Sequence, residues 1–346
     1  MTPTNFMYFD YAQSLQEDSV TFGSHTPLDE VYSYNPVPKQ LNQQQAKYIL
    51  GGQANLWTEY ISNPRKVEYQ VFPRISALSE VLWTEPAKKN FSDFENRLQK
   101  QLQRYGMWST NYSNAHFGLD VSITPAPAYK GLQVKLQSRD KAGKITYGIV
   151  GRHLQKNYSK PLILTEDAVI TTILTNNGRV TDSATVNLKI NKATGKKITI
   201  VNPPLSGYTA EGGFTLVNGI INEMGLARSN EFLGYRGSNM LAKIDLVSMQ
   251  RIDSVIVHAI IIGGSRVYPP ESVEVYQSTD GKNFRSIGKT SDFVSPIYGK
   301  GVFTVRLPPT STRYVQVAVR PVMKIAEGKT GAGEQALMFV DEIEIK

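Results

Sequence analysis

Between Asn63 and Gly106 the apolar residues of this chain return every three to four positions, and from about Leu119 onward they alternate with polar ones. A period near 3.6 buries one stripe of a helix, whereas a period of two buries one face of a sheet, so one layer cannot carry both. The chain therefore reads as multidomain: an α/β region over 1–118, then two all-β regions over 119–196 and 197–346. Its 346 residues leave room for all three, and a hydrophobic share of 40% excludes a disordered chain. No apolar run approaches the roughly 20 residues of a membrane-crossing helix, so no membrane span is expected.

In the first region, strands are expected over 6–11 and 48–57. A long helix opens at Asn63-Pro64, where Pro suits the first helical position, and carries Val67, Val71, Ile75, Leu78 and Leu82 on one face. Pro73 should kink it. The next helix is expected to start on a capping box, Ser92 with Glu95, to bury Phe94, Leu98, Leu102 and Tyr105, and to stop at Gly106. In the second region, 121–123, 132–136, 145–147, 169–173 and 186–190 alternate between turn residues, which describes a small β-sandwich. The third region repeats that texture at 241–246, 254–260, 273–276, 303–305 and 314–319, with Asp280-Gly281 as a hairpin turn. Its length suits a jelly roll or similar sandwich.

Several chemistries are excluded. With no cysteine there is no disulfide, thiolate nucleophile or thiolate metal site. The net charge of +8 sits in the middle region, where 12 Lys and Arg face 5 Asp and Glu. These cations, among them Lys130, Lys135, Arg139, Lys141 and Lys144, have no interleaved stacking aromatics, so they read as a solvated face and no nucleic-acid partner is expected. Gly328-Lys329-Thr330 resembles the end of a phosphate loop, but Met323 stands where that loop needs glycine. The four histidines, His25, His116, His153 and His258, lack metal-ligand spacing.

Tyr8-Phe9-Asp10, the run from Gly51-Gly52-Gln53 through Trp57-Thr58-Glu59-Tyr60, and Val71-Phe72-Pro73-Arg74 through Glu80-Val81-Leu82-Trp83 occur in that order. Through them the first region resembles the C-terminal end of the catalytic barrel of glycoside hydrolase family 20, the β-N-acetylhexosaminidases. The resemblance implies the last two βα units of a (β/α)₈ TIM barrel, in which functional residues stand at the C-terminal ends of strands. It implies that Tyr8 orients the substrate's N-acetyl group, that Trp57 walls the pocket, and that Asp10 and Glu59 bind sugar hydroxyls. Residue type alone leaves Tyr8 and Trp57 as core aromatics and the two acids as solvated loop residues.

That family works by substrate-assisted catalysis, an exception to the two-carboxylate scheme of glycosidases. It uses an adjacent Asp-Glu pair after Gly-Gly on an earlier barrel strand. Here Gly-Gly at 51–52, 212–213 and 263–264 is followed by Gln53, Phe214 and Ser265. The pairs Asp29-Glu30 and Asp341-Glu342 do not end a matching strand. The resemblance therefore implies a chain beginning near the seventh of eight barrel strands, with the catalytic pair absent. The rest would lie on another chain, or this is a truncated product.

The second region resembles the small fibronectin-like modules that follow such catalytic domains. The third, through Leu216-Val217-Asn218-Gly219, Glu274-Val275-Tyr276 with Asp280-Gly281, and Phe339-Val340-Asp341-Glu342-Ile343, resembles the discoidin or coagulation-factor type C family, a galactose-binding-like jelly roll. This implies carbohydrate binding at loop aromatics, for which Phe232, Tyr235 and Tyr268 are the candidates. It also implies a structural calcium near Asn218 and Glu342, with Asn218 standing where Asp is commoner. No cofactor is implied for catalysis.

Taken together, the resemblances imply part of an exo-β-N-acetylhexosaminidase that removes terminal β-linked N-acetylglucosamine or N-acetylgalactosamine from glycans. Galactose-type sugars are further partners at the last domain. The implied location is periplasmic, cell-surface or secreted in a bacterium, with any signal peptide upstream, since residues 1–5 do not form one. The rival is a non-catalytic carbohydrate-binding or adhesion protein.

Overall fold

A computed structural model describes residues 3–14, 25–223, 230–297 and 299–346. The chain forms two compact units, one of residues 1–119 with 138–143 and 174–182, the other of 120–137, 144–173 and 183–346.

The first unit contains α1 (Thr4–Met7), α2 (Leu28–Ser33), α3 (Gln43–Ala46), α4 (Pro64–Val71), α5 (Arg74–Trp83) and α6 (Phe91–Met107). Met7, Phe9, Val31, Tyr32, Ala77, Leu78, Phe94 and Leu98 lie in its core. Where strands are expected at 6–11 and 48–57, the structure has α1 and one parallel bridge between Tyr8 and Asn55. The ladder ends there because the next carbonyls of the segment accept from side chains of α4 and α5.

The long helix is two helices. Asn63 caps α4 by accepting from the Lys66 backbone N–H, and the break at Phe72-Pro73 starts α5 afresh, since proline both removes a donor and crowds the preceding turn. α6 buries the four residues expected, Phe94, Leu98, Leu102 and Tyr105. Its cap differs: Asn90 accepts from the Asp93 N–H, two positions before the expected Ser92.

After residue 118, β1 (Leu119–Pro125), β2 (Leu132–Ser138) and β5 (Leu162–Leu164) make one sheet; β4 (His153–Asn157), β3 (Lys144–Ile149), β6 (Ala168–Asn176) and β7 (Arg179–Leu188) make another. Leu132, Val134, Leu136, Ile170 and Leu188 fill their core.

An eight-stranded sheet follows, formed by β8 (Lys197–Ile200), β9 (Leu233–Arg236), β10 (Met240–Ile260), β11 (Ser272–Ser278), β12 (Arg285–Thr290), β13 (Phe293–Ile297), β14 (Lys300–Arg320) and β15 (Leu337–Ile345). β10 and β14 each join two strands expected separately. Their register breaks between Asp245 and Gln250, and each half pairs with different neighbours. The first half of β10 takes β8 and the second half takes β15. Arg313 braces the bend with bonds of 2.9 and 3.0 Å to the two carboxylate oxygens of Asp245. Leu216 and Val217 end a 3₁₀ turn over Gly212–Val217, with Asn218 as its cap.

Candidate functional site

Phe9 N–H donates to Asn55 O at 2.7 Å and Asn55 N–H to Met7 O at 2.8 Å, which brings the 8–11 segment alongside the 55–59 segment. Tyr8 then lies 6.5 Å from the Trp57 ring and 5.8 Å from the Tyr11 ring, centroid to centroid. Trp57 is 53% exposed and Glu59 is exposed, whereas Asp10 is 8% exposed. The four first-region candidates are thus brought together.

Burial pushes the Asp10 carboxyl up from its ordinary range. Its own N–H and that of Trp57 pull it back, the Glu59 charge pushes it up again, and the Arg74 guanidinium opposes that. Asp10 Oδ1 is buried without a hydrogen-bond partner among the described residues. An open indole face beside an acceptor that lacks a donor is suited to a pyranose, whose C–H face packs on aromatics while its hydroxyls donate to carboxylates.

Sequence reasoning gave no role to Gln70 and Arg74, which are 1% and 0% exposed. A glutamine and an arginine four apart on a helical stretch read as solvent-facing. The available signal was that spacing, which turns both to the side that carries Ala77 and Leu78.

The third-region candidates fall differently. Phe232 and Tyr235 are fully buried rather than on loops. Phe232 stacks on Phe339 at 4.5 Å, and Tyr235 stands in β9 opposite Met338, so neither presents a face to a sugar. Tyr235 packs into the large buried cluster, and Phe232 into a smaller one with Ile260, Val267 and Phe339. Tyr268 does lie in a loop, but its hydroxyl donates to Thr330 O at 2.9 Å and Lys329 Nζ lies 5.5 Å from its ring centre. A depression of about 640 Å³ opens elsewhere in this region, lined by Asn202, Pro203, Asn239, Glu271, Arg320 and Met323. Its residues come from several loops and the end of β14, so no motif announces it.

Asn218 and Glu342 do approach a common turn. Asn218 Oδ1 accepts from Ile220 N–H at 2.9 Å, and Glu342 Oε2 from Gly219 N–H at 3.3 Å. Glu342 Oε1 is buried without a partner among the described residues. Burial, reinforced by the neighbouring Asp341 charge, pushes the Glu342 carboxyl far up, and burial pushes Asp341 up to about 6. Two desolvated acids and an amide oxygen are hard donors of the kind calcium takes, although no cluster of three or more acidic or histidine side chains forms among the described residues.

Residues 1–86, which hold Tyr8, Asp10, Trp57 and Glu59, match the model of the glycosyl hydrolase family 20 catalytic domain. A β-hexosaminidase of Porphyromonas gingivalis is 42% identical over 114 residues, 32% of this chain and 15% of that protein. One of Vibrio furnissii is 36% identical over 84 residues, 23% of this chain and 13% of that protein. The chain thus spans about a seventh of the length of these relatives. Among solved structures, a family 20 exo-β-N-acetylglucosaminidase from Vibrio harveyi aligns with TM-score 0.30 and 29% identity over 33% of this chain and 18% of its own. The C-terminal domain of a Bacteroides fragilis chitobiase aligns with TM-score 0.29 and 18% identity over 43% of this chain and 92% of its own. The described residues contain no helix long and apolar enough to cross a membrane.

Proposed function

We propose that residues 1–118 supply one wall of the sugar pocket of an exo-β-N-acetylhexosaminidase acting on terminal β-linked N-acetylhexosamines. In this reading Trp57 packs on the sugar ring, Asp10 and Glu59 accept from its hydroxyls, and the Tyr8 hydroxyl donates to the acetamide oxygen that attacks the anomeric carbon. The orienting Asp and the protonating Glu belong to barrel strands that this chain does not carry. The observation that supports the reading is Asp10 Oδ1, buried and without a donor beside the open face of Trp57.

The test is hydrolysis of an aryl β-N-acetylglucosaminide. The 346-residue chain alone should give none above the uncatalysed rate, because general acid–base help of about 10²–10⁴-fold and the positioning wall are both missing. In a protein that carries the whole barrel, Tyr8→Phe should lower kcat and Trp57→Ala should lower kcat/KM. Unchanged kinetics in both variants would overturn the assignment, and sugar binding without hydrolysis by the whole-barrel protein would favour the adhesion reading.

For the third region, carbohydrate contact is assigned to the depression at Asn202, Glu271 and Arg320, whose lining combines a carboxylate and a guanidinium with the apolar Pro203 and Met323. Its size falls within the range of small-ligand sites. A structural calcium is assigned to Glu342 and Asp341 with the Asn218 turn, which would neutralise two acids held out of water.

A further inference from the structure

We infer that Arg74 is a positioning residue that fixes the aim of Asp10 by holding the main chain on both sides of it. The inference concerns the geometry of Asp10 and rests on the proposed sugar site only for its functional meaning.

Beyond the Tyr8–Asn55 bridge, the carbonyls of Phe9, Asp10 and Tyr11 are held by the side chains of Arg74 and Gln70. Arg74 Nη2 donates to Phe9 O at 2.5 Å, and Nη1 to Tyr11 O at 3.1 Å and to Thr26 O at 3.0 Å. Gln70 Nε2 donates to Asp10 O at 3.4 Å. Arg74 also donates to the carbonyl of Gln70, and its guanidinium lies 4.7 Å from the Phe9 ring centre. The fork therefore spans the residue before Asp10, the residue after it, and the chain at Thr26.

A fully buried cation is costly, and an apolar side chain here would spare that cost. It would instead leave several buried carbonyls unpaired, at the desolvation cost of each. A planar group with five donors meets the four carbonyls of Phe9, Tyr11, Thr26 and Gln70 at once; an ammonium has three donors on a single atom and cannot serve all four. With the flanking peptides fixed, the Asp10 Cα–Cβ bond is held in one direction, and from there its carboxyl accepts from the Trp57 backbone N–H.

The experiment uses the whole 346-residue chain. Arg74→Lys keeps the charge and removes the fork; Leu98→Ala in α6 provides a comparable loss of stability elsewhere in the same core. The Asp10 carboxyl titration is followed by carbon NMR, assigned with Asp10→Asn, beside thermal melts. Arg74→Lys should displace the Asp10 midpoint by about half a pH unit or more, upward as the Trp57 N–H loses alignment, while Leu98→Ala should leave it in place. If Arg74→Lys destabilises the chain yet leaves Asp10 where it was, the residue is structural only and the inference fails. Should Arg74→Lys not fold, Gln70→Leu removes one of the holding bonds alone; a displaced midpoint supports the inference and an unmoved one overturns it. No sugar enters these measurements, so failure of the proposed activity and failure of this inference are separate results.

Discussion

Asp341 and Glu342 show how burial decides the behaviour of a single side chain. In the unfolded chain Asp341 ionises near 3.8, and in the folded chain near 6. Between those values the folded state binds more protons, so stability falls as pH rises through that window. Asp341→Asn should therefore flatten the melting temperature between pH 4 and 6 relative to the unaltered chain. Calcium binds the ionised form, so its stabilisation should be larger at pH 7.5 than at pH 4.5. Melts with calcium and with chelator at the two pH values check this; an equal or absent effect removes the calcium assignment. The identity of these acids was legible in the sequence, but their burial was not, because it depends on β15 being covered on both faces. The same covering explains Phe232 and Tyr235, which read as loop aromatics only while β9 goes unrecognised.

At the level of elements, the residues that face a core were more legible than the residues that end a segment. The α6 stripe was fully readable from its period, since four apolar residues three or four apart admit one helix face. Its cap was misread because Asn90 and Ser92 are both good cap residues and only the path of the preceding chain chooses between them. The difference is measurable: Asn90→Ala should cost about 1 kcal/mol, and Ser92→Ala, exposed inside the helix, should cost less than half of that. Equal losses in chemical denaturation would return the cap to Ser92. The bent strands were legible as pairs of shorter strands, because the corner at residues 246–249 breaks the alternation and the continuity of hydrogen bonding through Gln250, Arg251 and Ile252 leaves no trace in residue type.

For the whole molecule, the division of labour between regions is set by which cores close on themselves. The third region has a large buried cluster that includes Leu233, Met240, Val257, Val275, Phe303, Val317 and Ile343. The junction with the second region is also made of main-chain bonds: Lys192 N–H donates to Ile345 O at 3.1 Å, Gly195 N–H to Val217 O at 2.8 Å and Lys189 N–H to Gly219 O at 2.9 Å. Phe214 packs against both cores, and Ala193 is buried in that of the third region. A fragment of residues 197–346 should then be soluble with a cooperative melt, while a fragment of 119–346 should melt higher, since the cut at 197 strips partners from the end of β15 and from the turn at Gly219. Residues 1–118 alone should behave in the opposite way. Tyr48, Leu50 and Trp83 are 83%, 98% and 90% exposed, and two isolated parallel bridges, Tyr8 with Asn55 and Ala12 with His25, are all the strand pairing found among its described residues. Apolar side chains left in water and unpaired segment edges favour association over a closed fold. Size-exclusion chromatography with calorimetry of the three fragments decides the matter: a monomeric, cooperative 1–118 together with an aggregating 197–346 would reverse the assignment of which region stands on its own.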